Sequence, residues 1–316
     1  MLISIVVPVY NEEPNIREFR RQTSAILEQI PDSSYELIFV DDGSSDGSRK
    51  LLQELAEEDQ RVKYISFSRN FGKEAAMIAG FEHTSGDLVA VMDVDLQDPP
   101  EMLLDMYRIL TESDGEYDCV AARRTSREGE PVIRSFFARS FYRLINKISK
   151  TPIVDGARDF RLMTRQMVDA IISLPEYNRF SKGLFQWVGF NTYWLPYKNV
   201  ERYAGTTKWS FSKLFLYSID GFVAFSTVPL AIASVLGVVI SFVAFLMGIY
   251  YILQKLIYGN PVAGYASLMV VTLMLGGLQL LAMGVLGQYL SKTYLEVKGR
   301  PRYVVKEKKN LENKDA

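Results

Sequence analysis

The stretch Leu-Val-Ala-Val-Met-Asp-Val-Asp-Leu-Gln-Asp-Pro-Pro, residues 88–100, leads from an apolar run directly into a cluster of carboxylates. The run predicts a strand over Leu88–Met92, and a helix is expected over Pro99–Thr111. Asp93 and Asp95 follow the strand at once, and two carboxylates at this spacing can hold one hard cation. A solvated acidic turn has the same pattern, so this stretch alone leaves both interpretations open.

The chain before this stretch alternates short apolar runs with helical periodicity. The predicted strands are Ile3–Val9, Glu36–Val40, Val62–Phe67, Leu88–Met92 and Tyr117–Ala121. The predicted helices are Pro14–Ile30, Ser48–Glu58, Lys73–His83 and Pro99–Thr111. This alternation predicts βαβ units and a mostly parallel sheet, an α/β fold. In such sheets ligands bind at the carboxyl ends of the strands.

Two more polar clusters end predicted strands. Residues 41–47, Asp-Asp-Gly-Ser-Ser-Asp-Gly, contain glycines that permit a tight turn, and some of the polar residues could cap the next helix. Tyr10, Asn11 and Glu12 end the first strand and could contact a nucleobase, or form a plain turn before the next helix. Three clusters at the ends of three parallel strands are expected to converge on one crevice.

Composition excludes several classes of protein. The 316 residues carry a formal net charge of −1, so nothing global favours nucleic acid as a partner. The single cysteine, Cys119, excludes an internal disulfide and a Cys-based zinc site, and it fits a reducing compartment. The first residues have no basic segment, so they do not resemble a signal peptide.

Two long apolar segments follow the region of mixed composition. No charged residue lies between Asp220 and Lys255 or between Lys255 and Lys292, and a bilayer span needs about 20 apolar residues. We therefore predict spans over about 222–253 and about 263–290. The aromatic segment Trp209–Tyr217 resembles a helix lying in the membrane interface.

The basic residues after Leu290 set the expected orientation. By the positive-inside rule the tail and the N-terminal domain both lie in the cytoplasm, at a plasma membrane if the protein is bacterial. The predicted organisation is a catalytic domain over 1–208, an interfacial helix over 209–221, two spans within 222–290, and a basic tail over 291–316. Glycines in the spans suit close helix packing, within one subunit or in a homo-oligomer.

Residues 7–12, 40–47 and 92–100 together resemble the signature of family 2 glycosyltransferases. The resemblance is to the branch of dolichol-phosphate mannose synthases and bactoprenol glucosyltransferases, and it extends over nearly the whole chain. It implies a GT-A fold, Mg²⁺ or Mn²⁺ as cofactor, and inversion at the anomeric carbon. The implied donor is a nucleotide-sugar and the implied acceptor is undecaprenyl or dolichyl phosphate. UDP-glucose is the favoured donor, with N-acetylglucosamine, galactose and mannose left open.

The resemblance also assigns roles to residues. The residues expected to bind the nucleotide-sugar are Pro8, Tyr10, Asn11, Glu12, Asp42, Asp93, Arg202 and Lys208. Asp93, Asp95 and Gln97 are the expected metal ligands, and Asp95 is also assigned to catalysis. Arg202 and Lys208 lie in an element similar to the family's R-x-x-G-x-S-K pattern, with Thr207 in place of Ser. The alternative for these two cations is a basic collar above a membrane.

The acceptor side has fewer sequence signals. A lipid phosphate needs fixed cations, and we assign this role to Arg123, Arg134 and Arg139, although surface salt bridges could also explain them. Asp159 resembles the family's position for a catalytic base. A phosphate monoester is largely a dianion at neutral pH and hardly needs a base. Asp159 could instead orient the acceptor, or form an ion pair with Arg158 or Arg161.

Other functions fit the sequence less well. A processive polysaccharide synthase usually carries a Q-x-x-R-W motif, which this sequence lacks. A dinucleotide-dependent oxidoreductase needs G-x-G-x-x-G after the first strand, where this chain has Pro-Val-Tyr-Asn-Glu. Transfer to a protein or a soluble glycan would leave the two spans unexplained.

Overall fold

The computed structural model describes residues 1–125, 143, 145–147, 151, 154–197, 223, 226–258 and 264–311. Several predictions fall outside these residues and stay predictions. They concern Arg134, Arg139, Arg202, Lys208 and the interfacial helix over 209–221.

The elements follow the predicted alternation, with ends that differ by a few residues. The strands are β1 (Leu2–Val9), β2 (Ser34–Asp41), β3 (Val62–Phe67), β4 (Leu88–Val91), β5 (Cys119–Arg124), β6 (Ala157–Thr164), β7 (Thr192–Tyr197) and β8 (Val305–Lys309). The helices are α1 (Glu13–Leu27), α2 (Ser48–Glu58), α3 (Lys73–Glu82), α4 (Met102–Glu112), α5 (Arg165–Ser173), α6 (Ser181–Trp187), α7 (Val228–Tyr258) and α8 (Tyr265–Val297).

The strands of the described residues form one sheet in the order β7-β5-β6-β4-β1-β2-β3-β8. The four central strands, β4, β1, β2 and β3, are parallel, as predicted. β6 runs antiparallel to both β4 and β5, and β8 runs antiparallel to β3. The chain moves outward from β1 to β2 and β3, then returns to place β4 on the other side of β1. A topological switch point therefore lies between β1 and β4, where sheets of this kind bind ligands.

The central strands are continuous apolar runs because helices cover both faces of the sheet. Side chains alternate between the faces along each strand. Ile5 and Val7 of β1 pack in one buried cluster with residues of α1, α2 and α4, whereas Val6 packs on the opposite face with residues of α3 and α5. This two-sided burial holds the strand ends rigidly in place.

α7 and α8 contain segments long and apolar enough to cross a membrane. These are Val228–Tyr250, with a mean hydropathy of 2.7, and Leu268–Val297, with a mean hydropathy of 2.1; neither is buried within the protein. α8 continues to Val297, beyond the predicted end near 290, and the apolar segment extends with it. Among the described residues, an added Cβ at any of the six glycines of α7 and α8 between 237 and 287 would meet no atom within 4 Å, so the described part of the chain shows no close helix contact at these glycines.

The segment after α8 returns to the sheet, which the prediction of a basic tail missed. β8 extends the sheet edge along β3. Tyr303 stacks on Phe67, with ring centroids 4.9 Å apart, and its hydroxyl donates to Glu82. Arg302 Nη2 donates to Glu82 Oε1 over 2.9 Å. A charged edge strand has no alternating apolar pattern, so the sequence of this segment did not indicate a strand.

Tyr303→Ala should destabilise the sheet domain by about 2 kcal/mol, because it removes a half-buried aromatic stack and a hydrogen bond. Thermal unfolding of the detergent-purified chain measures this. The neighbouring Val304→Ala is the matched control, since Val304 is 48% exposed, and it should change stability by less than about 0.5 kcal/mol. Equal effects of the two substitutions would contradict the role given to Tyr303.

Candidate active site

The carboxyl ends of β1, β2 and β4 border one cleft with a volume of about 190 Å³. The predicted convergence of three polar clusters is therefore present, and it lies at the switch point of the sheet. The lining residues are Pro8, Val9, Tyr10, Glu12, Asp42, Lys73, Ala76, Asp93, Val94 and Asp95. Pro8, Tyr10, Glu12, Asp42, Asp93 and Asp95 are residues that the sequence analysis assigned to the site.

The two adjacent aspartates at the end of β2 have different surroundings. Asp41 is buried and accepts hydrogen bonds from the Ser44 backbone N–H (2.9 Å) and the Ser66 hydroxyl (2.6 Å), so it holds the turn. Asp42 lines the cleft and accepts the backbone N–H groups of Phe71 (2.6 Å) and Gly72 (2.9 Å). Burial raises the pKa of Asp42 to about 6, against the opposing effect of these hydrogen bonds.

Asn11 links the first polar cluster to the second. Its backbone N–H donates to Ser44 Oγ (2.9 Å), and its side-chain Oδ1 accepts the Ser45 N–H (2.8 Å). Asn11 has a φ of 54°, a left-handed conformation that Asn tolerates better than most residues. It is not among the residues that line the cleft, so the structure gives it a role in joining two loops.

The chain turns sharply after the two carboxylates of the third cluster. Leu96 has a φ of 58°, which is unusual for a non-glycine residue and is a form of strain common at functional sites. Asp95 is only 5% exposed, and its Oδ1 accepts the Gln97 backbone N–H over 3.2 Å. The Gln97 side chain is not among the cleft-lining groups.

The strand register brings Asp93 and Asp159 together. Leu88 of β4 pairs with Thr164 of β6, and Val91 pairs with Arg161. Continuing this antiparallel register by two residues places Asp93 opposite Asp159. Two like charges in such a position repel each other, so the pair needs a cation.

Lys73, the first residue of α3, supplies that cation. Its ammonium lies 2.7 Å from Asp93 Oδ1 and 2.5 Å from Asp159 Oδ2. Burial alone would raise the pKa of Asp159, but Lys73, Lys182 and Arg161 outweigh it and hold the pKa well below its usual range. Burial alone would lower the pKa of Lys73, but Asp159 and Asp93 outweigh it and raise the pKa above its usual range. Asp159 and Lys73 are therefore both charged at neutral pH.

The predicted alternative partners of Asp159 were wrong. Arg158 Nε instead donates to Asp98 over 3.1 Å, and Asp98 also accepts the Tyr197 hydroxyl. The Arg161 guanidinium donates to the backbone carbonyls of residues 158 and 159 and lies 3.6 Å from the centre of the Phe185 ring. Side chains alternate in direction along a strand, so Arg158 points away from Asp159. Arg161 lies on the same face as Asp159, but the two backbone carbonyls and the Phe185 ring occupy its guanidinium.

Arg123 lies near the end of β5, and its Nε donates to the Asp155 carbonyl over 3.2 Å. It is exposed and does not line the cleft. Its contact with an acceptor phosphate stays a prediction.

Glu74 ties the start of α3 to the start of α6. Its carboxylate accepts the Ser181 backbone N–H, with 3.1 Å to each oxygen, and also the Ser181 hydroxyl. Burial raises the pKa of Glu74 to about 7, with a smaller contribution in the same direction from Asp159. This contact fixes the turn that carries Lys73.

Comparisons with known proteins identify the family of this chain. The profile described as "Glycosyl transferase family 2" matches residues 4–172. The chain belongs to this family. The glycosyltransferase is 44% identical to a putative glycosyltransferase, CsbB, of Bacillus subtilis, over 99% of this chain and 94% of the relative. It is 42% identical to a bactoprenol glucosyl transferase of Shigella phage SfX, over 98% of this chain and 100% of the relative.

A solved structure is also similar to the glycosyltransferase. This is a mannosyltransferase from Pyrobaculum calidifontis in complex with GDP-mannose and Mn²⁺, with a TM-score of 0.47 and 19% identity. The alignment covers 70% of this chain and 61% of that one, so this chain spans less than two thirds of that protein. Family membership and the mostly parallel sheet followed by two apolar helices confirm the predicted fold class, a GT-A type domain.

The carboxylates that line the cleft are candidate ligands for a metal ion. Within the described ranges, no group of three or more His, Cys, Asp or Glu side chains is placed to hold a metal ion. Asp93 and Asp95 provide hard oxygen ligands of the kind that Mg²⁺ and Mn²⁺ prefer, and such ions complete their shell with water and substrate phosphates. A cation, the Lys73 ammonium, already lies against Asp93. The two aspartates therefore fit a divalent cation whose remaining ligands come from outside the protein.

Sequence reasoning missed Lys73 and Glu74. A signal was present, because a lysine at the first position of a helix opposes the helix dipole, which favours negative charge there. A residue in an unfavourable local position is a candidate for a role in tertiary structure or function.

Gly43→Ala should destabilise the protein by about 2 kcal/mol or more, because Gly43 has a φ of +69° and an added Cβ would lie 2.5 Å from the Arg69 carbonyl carbon. Gly115→Ala is the matched control, with a φ of +82° but open space around the Cβ, and should cost only about 1 kcal/mol. Thermal unfolding compares the two. Hydrogen exchange at Phe71 and Gly72, whose N–H groups donate to Asp42, should accelerate only in the Gly43 variant.

Glu74→Gln should change how stability depends on pH. The folded-state pKa of Glu74, about 7, lies above its usual value of 4.5, so its contribution is fully present below about pH 4.5 and is lost as pH rises through 7. Wild type should therefore lose on the order of 2 kcal/mol relative to the Gln variant between about pH 5 and pH 8. Unfolding midpoints at the two pH values measure this. Glu112→Gln, at an exposed site, should follow wild type, and parallel curves for all three proteins would contradict the prediction.

Proposed function

We propose that this glycosyltransferase moves a hexose from a nucleotide-sugar to a polyprenyl phosphate, with inversion at the anomeric carbon. The favoured donor is UDP-glucose and the favoured acceptor is undecaprenyl phosphate. The product would be a polyprenyl-phosphate sugar for modification of a cell-envelope glycan. Relatives named as bactoprenol glucosyl transferases, which align over nearly the full length of this chain, support both choices.

The observation that carries the proposal is that the second of two apolar helices is hydrogen-bonded at its end to the domain that contains the cleft. Glu296, at the end of α8, accepts the backbone N–H groups of Tyr177 and Asn178, each over 2.9 Å. α8 is thereby attached to the domain that contains the cleft. A lipid phosphate stays in the bilayer surface, so its enzyme must hold the active site at that surface.

In this proposal the nucleoside lies against Pro8, Tyr10, Glu12 and Asp42. Asp93 and Asp95 would hold Mg²⁺ or Mn²⁺. When bound, the ion neutralises charge on the departing nucleoside diphosphate. Arg202 and Lys208 are proposed to contact the same diphosphate, and Arg123, Arg134 and Arg139 to meet the acceptor phosphate.

Asp159 is proposed to orient groups rather than to remove a proton. Its ion pair with Lys73 keeps its pKa low, which makes it a weak base. The acceptor phosphate has a second pKa of about 6 and attacks as a dianion without a base. Positioning and charge stabilisation would then supply most of the rate.

The proposed topology keeps the predicted division of the chain, with one change. The catalytic domain covers 1–208, the interfacial helix 209–221 and the spans 222–290. The cytoplasmic tail of 291–316 contributes β8 to the catalytic sheet. Both termini lie in the cytoplasm in this arrangement, and a homo-oligomer in the plasma membrane is part of the proposal. Transfer of N-acetylglucosamine or mannose to the same lipid, or of a sugar to a non-lipid glycan, is the alternative.

The experiment is a transfer assay with the full chain in detergent. Undecaprenyl phosphate, Mn²⁺ or Mg²⁺ and a panel of radiolabelled nucleotide-sugars are supplied, and label is followed into the organic phase. Label should move from UDP-glucose only when lipid phosphate and metal are both present. No transfer from any donor, in protein that binds nucleotide, would contradict the lipid acceptor.

Asp95→Asn should lower transfer by about a hundredfold or more, because it removes one of the two carboxylates proposed to hold the metal. Without the metal, the charge on the departing nucleoside diphosphate is not neutralised. Asp105→Asn is the matched control, since Asp105 is exposed on α4 and pairs with Arg108 one turn along the same helix. The control should transfer at the wild-type rate. Normal turnover in the Asp95 variant would exclude it as a metal ligand.

A further inference from the structure

The ion cluster at the mouth of the cleft has three members. Lys73 Nζ lies 2.7 Å and 3.0 Å from the two oxygens of Asp93 and 2.5 Å from Asp159 Oδ2. The side chains of Lys73 and Asp93 are 36% and 28% exposed, whereas that of Asp159 is 19% exposed. Lys73 therefore touches both oxygens of the more exposed carboxylate and one oxygen of the less exposed one.

The two contacts of Lys73 are not equivalent in the proposed reaction. Asp93 belongs to the pair of aspartates that would hold the metal. Asp159 lies on β6 and is not a member of that pair. A divalent cation on Asp93 would lie within a few ångströms of the ammonium, where two positive charges repel strongly. The ammonium and the divalent ion thus compete for Asp93, but not for Asp159.

The backbone around Lys73 is held in place, so only the side chain of Lys73 is free to move. Asp42 holds the turn before Lys73 through the Phe71 and Gly72 N–H groups, and Glu74 holds the turn after it through Ser181. Lys73 is thus anchored on both sides, while its flexible side chain can reach from one oxygen to another. An ammonium on a flexible stem suits such an exchange.

We propose that Lys73 is an exchangeable counter-cation of the nucleotide-sugar site. Its ammonium balances Asp93 when the cleft holds no substrate. When a metal and a nucleoside diphosphate enter, the ammonium leaves Asp93, stays on Asp159, and turns towards a phosphate oxygen. This inference rests on the proposed metal-dependent nucleotide site, but it does not depend on the identity of the acceptor.

The test measures Mn²⁺ binding to the full chain without any sugar transfer. The electron paramagnetic resonance signal of free Mn²⁺ gives the affinity, first without nucleotide and then with UDP. Without nucleotide, Lys73→Met should bind Mn²⁺ roughly five- to tenfold more tightly than wild type, because Asp93 is no longer occupied. UDP should tighten Mn²⁺ binding less in this variant than in wild type, because the ammonium no longer meets the phosphate.

Two controls separate this effect from net charge. Lys50→Met removes the same charge from an exposed position on α2 and should leave the Mn²⁺ affinity within twofold of wild type. Lys73→Arg keeps the charge and should also stay close to wild type without nucleotide. No detectable Mn²⁺ binding by Lys73→Met, or binding no tighter than that of wild type, overturns the proposal.

A further variant covers the case in which Lys73→Met does not fold. Lys73→Met combined with Asp159→Asn removes both charges of the pair, so no unpaired carboxylate stays behind on β6. It should bind Mn²⁺ more tightly than Asp159→Asn alone, and equal affinities overturn the proposal. Asp95→Asn distinguishes the two failures, since unchanged Mn²⁺ binding in that variant refutes the metal site itself, whatever Lys73 does.

Discussion

Two carboxylates face each other across the end of the β4–β6 pair, and one ammonium lies between them. The antiparallel register places Asp93 opposite Asp159, and their mutual repulsion is relieved by Lys73 at distances of 2.5–2.7 Å. This contact joins the parallel half of the sheet to its antiparallel half at the place where substrates would enter. Asp42 and Glu74 hold the backbone on either side of Lys73, so that its ammonium reaches this position.

Buried polar contacts hold the loops around this cluster. Asp42 fixes the turn before α3, and Glu74 fixes the start of α3 against α6. On the other side, Asp98 accepts from Arg158 and Tyr197, which ties the loop after Asp95 to β6 and β7. A buried carboxylate that loses its partner is strongly unfavourable, so these contacts favour one arrangement of the loops. The cleft is therefore largely formed before any ligand binds, which is the condition for effective charge stabilisation.

The apolar helices are integrated with the catalytic domain rather than appended to it. Glu296 joins the end of α8 to the loop before α6, and the chain then passes Tyr303 and enters the sheet as β8. The chain thus leaves the catalytic domain, forms two membrane-compatible helices and returns to the same sheet. This arrangement suits a lipid-linked acceptor, because the cleft has to stay at a constant depth relative to the bilayer to meet the lipid phosphate.

The sequence by itself determined the alternating strands and helices, the two apolar helices and the convergence of Tyr10, Asp42 and Asp93 on one cleft. Local periodicity encodes each element, and in a parallel sheet all strand ends of one kind meet at one edge. Only the tertiary structure decided that Asp159 pairs with Lys73 rather than with Arg158 or Arg161, that Asn11 joins two loops, and that residues 305–309 complete the sheet. Each of these depends on the register or approach of segments that are distant in sequence, and no local pattern records such a relation.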